Sequence, residues 1–60
     1  MSKVQQLKNL ERMIKINREY NQYQAAKVNL EKMIEILKSI NREDLALKYS
    51  EELKEIEAKI

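Results

Sequence analysis

Acidic side chains and three tyrosine hydroxyls are the main groups in this chain that could perform acid–base chemistry, because histidine and cysteine are both absent. The acids include two adjacent pairs, Glu43–Asp44 and Glu51–Glu52. Paired carboxylates act as acid and base when both face one substrate. Here the first pair follows a helix-start signal, where exposed backbone N–H groups favour negative charge, and the second has the pattern of a solvated helix surface. No serine or tyrosine has an activating base at a suitable spacing, so we expect no enzymatic activity.

The same set of residue types argues against metals and cofactors. Structural zinc sites use cysteine and histidine ligands, and calcium sites use convergent oxygen ligands on a loop. The chain has no such nitrogen or sulfur ligands and no Asp-rich loop. We therefore expect no metal and no cofactor, and the remaining functions are those of a binding or structural protein.

The elements that must position these groups are helices. Glycine and proline are both missing from the 60 residues, an omission expected about once in two thousand chains of average composition and this length. Apolar residues occur in runs of three at most and recur at helical spacing. The sequence predicts one all-α domain spanning residues 1–60.

Three capping signals divide the chain. Ser2, Asn21 and Asn41 each stand three positions before a residue that can complete a capping box. Asparagine also tolerates the left-handed conformation that ends a helix when glycine is absent, and we place the first break near residues 20–22. Because the connections between helices are short, consecutive helices should lie antiparallel, as in a three-helix bundle. One alternative stays open: the first two helices could be continuous, since neither glycine nor proline separates them. The capping signals predict three helices, at about 3–20, 22–39 and 42–60.

The second and third predicted helices have distinct apolar faces when each residue is projected at about 100°. The face of the second covers about 180°, as expected for a helix between two neighbours. Its central residues are Ala26, Leu30, Met33, Leu37 and Ile40. The third has a narrower seam, typical of an outer helix with one buried face. That seam comprises Leu45, Tyr49, Leu53, Ile56 and Ile60.

The first helix carries more apolar surface than an outer helix of a three-helix bundle can bury. Met13, Ile16 and Tyr20 widen its apolar arc to about 240°. A partner or a second copy of the chain must cover the extra arc, or the arc stays exposed as a patch. The candidate partner-binding residues are Met13, Ile16 and Tyr20, the neighbouring cations Arg12 and Lys15, and Tyr23 beside the first turn.

An internal repeat relates the first two helices. The segment Asn9–Ile16 (NLERMIKI) returns twenty residues later as Asn29–Ile36 (NLEKMIEI), with six of eight positions identical. Duplication explains this match, and so does chance convergence of amphipathic helices built from few residue types. A repeat-built or engineered bundle is therefore one interpretation of the sequence.

Charge is distributed unevenly along the chain. The net charge is +2, and residues 1–20 carry five cations and two acids, whereas residues 41–60 carry four cations and six acids. The cations of the first third are dispersed rather than clustered, so we do not expect nucleic-acid binding. The apolar runs are far too short to cross a bilayer, and no apolar leader segment follows the first residues. We expect a soluble, cytoplasmic chain that does not engage membranes.

The segment Tyr23–Leu37 (YQAAKVNLEKMIEIL) resembles the second helix of a tetratricopeptide repeat. That family's pattern is a tyrosine, an alanine three residues later, an aromatic residue four after that, and a second alanine. Tyr23 and Ala26 match the pattern, while Leu30 replaces the aromatic residue and Met33 replaces the second alanine. The resemblance implies a helical hairpin of the tetratricopeptide type.

Two departures accompany this resemblance. Asn21 stands near the position of the family's turn glycine, and Lys38 stands near that of its closing proline. Three such helices, the last at Tyr49–Ile60, resemble the microtubule-interacting-and-trafficking (MIT) domain. The resemblance covers about residues 20–60. It implies a small bundle that binds helical or extended peptides from filament-forming partners.

These observations predict a non-catalytic protein–protein interaction module that binds a partner helix or peptide through an apolar helix face. The alternative is a self-associating structural bundle, either a homo-oligomer or an engineered or simplified scaffold with no natural ligand. The two hypotheses differ in what covers the extra apolar arc of the first helix.

Overall fold

A computed structural model describes residues 2–60, which form three α-helices. Helix α1 spans Lys3–Glu19, α2 spans Tyr23–Ser39 and α3 spans Glu43–Glu57. The predicted all-α architecture of three helices is confirmed, and each helix begins within one residue of its predicted start. Helix α3 ends three residues before its predicted end. Ile60, which was expected on the buried seam, therefore lies beyond α3 and is exposed.

Two asparagines make both chain reversals. Asn21 and Asn41 have φ angles of 57° and 61°, in the left-handed region that asparagine tolerates better than most residues with a Cβ. At the first reversal, the Asn21 amide donates to the Arg18 carbonyl at 3.3 Å, and the Gln22 amide donates to the Asn17 carbonyl at 2.7 Å. The second reversal repeats both bonds twenty residues later. This pair of bonds is the Schellman motif, which satisfies the last carbonyls of a helix.

The prediction that Asn21 and Asn41 begin helices as N-caps is therefore wrong. Each ends the preceding helix, and the N-cap positions are occupied by Gln22 and Arg42, whose side chains make no capping hydrogen bond. The physical reason is that a chain without glycine needs another residue that accepts the left-handed conformation at the end of a helix. The reversal at Asn21 also rules out a continuous first helix.

The other predicted helix starts are confirmed. Ser2 is the N-cap of α1, since its Oγ accepts a hydrogen bond from the Gln5 amide at 3.1 Å. Glu43 and Asp44 occupy the first turn of α3. Negative charge at that position interacts favourably with the exposed N–H groups of the helix end.

Helix α2 lies between the other two and supplies most of the core. Five apolar residues of α2 are buried, whereas α3 contributes Ala46 and Ile56, and α1 contributes Ile14 alone. Complete burial of a large apolar side chain stabilises a fold by about 1.5–3 kcal/mol. The predicted roles of α2 as the central helix and α3 as an outer helix with one buried face are confirmed. The buried apolar residues of α2 are Ala26, Leu30, Met33, Ile34 and Leu37.

Polar bonds also tie α1 to its neighbours. The buried Asn29 side chain donates to Asn17 Oδ1 at 2.9 Å, and Asn17 in turn donates to Gln22 Oε1 at 3.0 Å. Arg18 Nη1 donates to Glu52 Oε1 at 2.8 Å, which links α1 to α3. A buried amide without a partner costs about 1–3 kcal/mol. Asn29 therefore favours the register that brings Asn17 within reach.

Helices α1 and α3 lie on either side of α2 without close backbone contact. Both helices are described in full, and no Cα atom of one lies within 8 Å of a Cα atom of the other. The Cα atoms extend over 29 × 21 × 12 Å. Because α1 packs closely against α2 alone, much of its surface remains open.

Substitution of Asn41 tests the role of the left-handed residues. We expect Asn41→Ala to lower the free energy of unfolding by about 1 kcal/mol, because alanine pays the full cost of the left-handed conformation. Asn41→Gly should be at least as stable as the wild type, because glycine has no Cβ that clashes in the left-handed conformation. Urea unfolding followed by circular dichroism measures both. Gln24→Ala, on the exposed surface of α2, is the control. Equal stabilities of the Ala and Gly variants would contradict the assignment.

Candidate functional site

Three of the partner-binding residues predicted on the first helix form an exposed apolar stripe. Met13, Ile16 and Tyr20 are 47%, 46% and 70% exposed. Their spacing of three and four residues places them within about 60° of one another around the helix axis. We call these three residues the α1 stripe. Their side chains are accessible to a second molecule.

One residue of the α1 stripe, Met13, lines a groove between α1 and α2, which we call the α1–α2 groove. Its volume is about 570 Å³, and its apolar lining comes from Leu10, Met13 and Ile36. Lys32 and Glu35 lie on the α2 side of the groove. Lys3 lies on the α1 side, so the groove combines an apolar lining with charged groups on both rims.

A second groove of about 800 Å³ separates α1 from α3, and we call it the α1–α3 groove. Ile14 and Tyr49 line it, together with the predicted cations Arg12 and Lys15. The other lining residues are Lys8, Glu11, Arg18, Glu19, Lys48 and Glu52. The structure therefore divides the predicted site: Met13 lies beside α2, and both cations border the groove toward α3.

Tyr23 does not belong to either groove. Its ring is half-buried and packs against the core, and its hydroxyl donates to Asn21 Oδ1 at 2.8 Å. The Lys59 ammonium lies 5.6 Å from the centre of the ring. These contacts place Tyr23 at the first reversal as part of the fold, whereas Tyr20 is free for contact with a partner.

Sequence reasoning missed the contribution of α2 to this surface, namely Ile36 and Lys32. A signal was available, because residues equally distant from the reversal at Asn21 lie side by side in an antiparallel hairpin. Lys3 and Ser39 show this symmetry, with Lys3 Nζ donating to Ser39 Oγ at 3.0 Å. The same symmetry places Ile36 beside the N-terminal half of α1.

One member of each acid pair forms an ion pair with an arginine. Asp44 pairs with Arg42 at 3.3 Å, and this hydrogen bond, together with one from the Leu45 backbone, lowers the pKa of the Asp44 carboxyl. Glu52 pairs with Arg18 across the α1–α3 groove. Within residues 2–60, no group of three or more His, Cys, Asp or Glu side chains could hold a metal ion.

Tyr49 is the titratable group of the α1–α3 groove whose pKa is raised. Partial burial of its hydroxyl is the largest cause, and the negative charges of Glu11 and Glu52 add to it. All three effects disfavour the tyrosinate form. Tyr49 therefore remains a neutral hydrogen-bonding group at physiological pH.

The chain matches no protein-family model, and no curated protein or solved structure is significantly similar to it. The resemblance to tetratricopeptide-like and MIT domains therefore stays a prediction. None of the helices in residues 2–60 is long and apolar enough to cross a membrane. The function of the surface around the α1 stripe is therefore inferred from its geometry and chemistry alone.

The raised pKa of Tyr49 predicts a specific pH dependence. The tyrosinate absorbance of Tyr49 is obtained by subtracting the absorbance of Tyr49→Phe from that of the wild type. We expect the midpoint of this difference to lie above the ordinary tyrosine pKa of about 10. Glu11→Gln should move this midpoint back toward the ordinary value, because it removes one of the negative charges.

The same shift links Tyr49 to folding. The pKa of Tyr49 is raised in the folded state. The contribution of neutral Tyr49 to the free energy of unfolding is therefore complete below the unfolded pKa and is lost as the pH rises through the folded pKa. Alkaline unfolding of the wild type should therefore be steeper than that of Tyr49→Phe. Identical pH profiles for the two proteins would contradict this assignment.

Proposed function

We propose that this chain is a non-catalytic protein-interaction module whose α1 stripe receives an amphipathic helix from another polypeptide. The helix lies along the outer side of the α1–α2 groove. This mode of recognition uses an apolar stripe on a helix, set into a groove between helices.

The internal repeat is the observation that best supports this proposal. Met13 and Ile16 of α1 correspond by the twenty-residue repeat to Met33 and Ile36 of α2. On α2 the equivalent side is covered by a helix: Met33 is 2% exposed, Ile36 is half-buried, and nearby Asn29 hydrogen-bonds to α1. The same pattern on α1 has no helix over it. A helix is therefore the shape of ligand that matches this surface.

Charge around the α1 stripe defines the chemistry of that helix. Arg12 is exposed on the side of the stripe away from α2, and Lys32 lies on the α2 side of the groove. Glu19 lies on the same flank of α1 as Arg12, and Glu35 accompanies Lys32, so each side carries one cation and one acid. An approaching helix with both signs of charge on its flanks can therefore meet opposite charge on both sides. Such complementarity mainly raises the association rate and sets the register. We therefore propose an amphipathic helix whose flanks carry both acidic and basic residues.

The acidic groups are consistent with a role without chemistry of its own. Asp44 pairs with Arg42, and this hydrogen bond lowers the pKa of its carboxyl, which favours the ionised form over one able to deliver a proton. The tetratricopeptide-like pattern of Tyr23–Leu37 supports the same class of function, because that family's helical hairpins bind peptides. Both considerations favour binding over catalysis.

A displayed library of twenty-residue amphipathic helices provides the probe for this proposal. We expect selection on the wild-type chain to enrich helices with one apolar face and flanks that carry both acidic and basic residues. Met13→Glu and Ile16→Glu should each weaken binding of the selected helices about tenfold or more, because a buried apolar contact becomes an unpaired charge. Binding is measured by fluorescence anisotropy.

The control is Leu47→Glu, which places the same charge on the exposed surface of α3, where Leu47 is 66% exposed. Circular dichroism verifies that each variant retains its helices. Undiminished binding by Met13→Glu and Ile16→Glu, with their helices intact, would show that the α1 stripe does not receive the helix.

A further inference from the structure

We infer that the helix received by the α1 stripe is α1 of a second copy of this chain, so that two copies pair antiparallel about a two-fold axis. This inference rests on the proposed function, because it names the polypeptide that supplies the helix. It follows from the order of apolar and charged residues along the exposed side of α1.

The charges beside the α1 stripe complement themselves when the helix direction is reversed. Arg12 and Glu19 are seven residues apart, so they lie within about 20° of each other on the same flank of α1. Both are exposed, and neither takes part in an ion pair within residues 2–60. A two-fold axis that passes between the two helices, level with the midpoint of Lys15 and Ile16, brings Arg12 of each copy beside Glu19 of the other.

The same axis aligns the apolar residues. It sets Ile16 of one copy beside Ile16 of the second and places Met13 between Ile16 and Tyr20 of the second copy, because the levels of these residues alternate along the two antiparallel helices. Val28 of α2 extends the apolar surface, since it is 47% exposed and precedes Lys32, which lines the α1–α2 groove, by one turn. One register therefore satisfies both the charges and the apolar centre.

The remaining cations of α1 do not oppose this pairing. Lys8, Lys15 and Arg18 line the α1–α3 groove together with Arg12 and Glu19, but they lie further around the helix from the α1 stripe. Arg18 also pairs with Glu52 at 2.8 Å. These three cations are therefore further from the interface than Arg12 and Glu19.

Pairing would also supply burial that α1 lacks in the single chain. Ile14 is the one buried residue of α1 among residues 2–60. A chain of this size without disulfides or metals usually needs either close packing or self-association. Covering Met13, Ile16 and Tyr20 would bury a second side of α1. Helix α1 would then be buried on two sides, as α2 already is.

Charge reversal tests this geometry directly. We expect the mass of the full chain in sedimentation equilibrium to rise with concentration from 7.2 kDa toward twice that value. Low ionic strength is used because exposed charges are screened by salt. Arg12→Glu and Glu19→Arg should each weaken the dimer about tenfold, since each places two like-charge pairs at the interface.

Mixing the two variants is the decisive step. In an equimolar mixture, every Glu at position 12 or 19 of one variant meets an Arg of the other, so the heterodimer should recover wild-type affinity. The double variant Arg12→Glu/Glu19→Arg should also recover it as a homodimer. Lys54→Glu and Glu55→Arg, which make the same charge changes at exposed positions of α3, should leave the dimer unaffected.

Three outcomes would overturn the inference. The first is a wild-type mass of 7.2 kDa at all concentrations. The second is a dimer indifferent to Arg12→Glu and Glu19→Arg. The third is the absence of a heterodimer in the mixture. The displayed helices separate these failures from failure of the proposed function: if they bind a monomeric chain and lose binding in Met13→Glu, the α1 stripe receives a helix that is not a second copy.

Discussion

Reversal of the chain without glycine or proline is the constraint on which the rest of this structure depends. Each of the two reversals needs a left-handed residue, and Asn21 and Asn41 adopt that conformation at lower cost than other residues available to the chain. Both reversals use the same pair of backbone bonds. As a result, three helices of similar length follow one another antiparallel, with α2 in the centre. The positions of the α1 stripe and of both grooves follow from those two turns.

The two copies of the repeat show how position determines the role of identical residues. Met33 and Met13 occupy the same place in the motif, yet one is almost fully buried and the other is half exposed. The difference arises because α2 has a helix on both sides, whereas α1 has one. The apolar pattern of α1 is that of a central helix placed at the edge of the fold. An edge helix with this pattern exposes an apolar side that a further helix can cover.

Helix α1 is attached to the fold by specific polar bonds as well as by apolar packing. The Asn29–Asn17 hydrogen bond orients it against α2, and the Arg18–Glu52 pair connects it to α3. Elements with few buried apolar residues open more readily than the core of a protein. Covering the α1 stripe would therefore reinforce the element that gains least from the hydrophobic core.

The sequence by itself determined the helical class, the number of helices, the central role of α2 and the excess apolar arc of α1, because helix periodicity and composition are local properties. It did not determine the role of Asn21 and Asn41, since asparagine serves equally at either end of a helix. Nor did it show that Met13 and Ile36 line one groove while Arg12 borders the groove toward α3. Only the tertiary structure decided these points, because they depend on which side of α1 each neighbouring helix packs against.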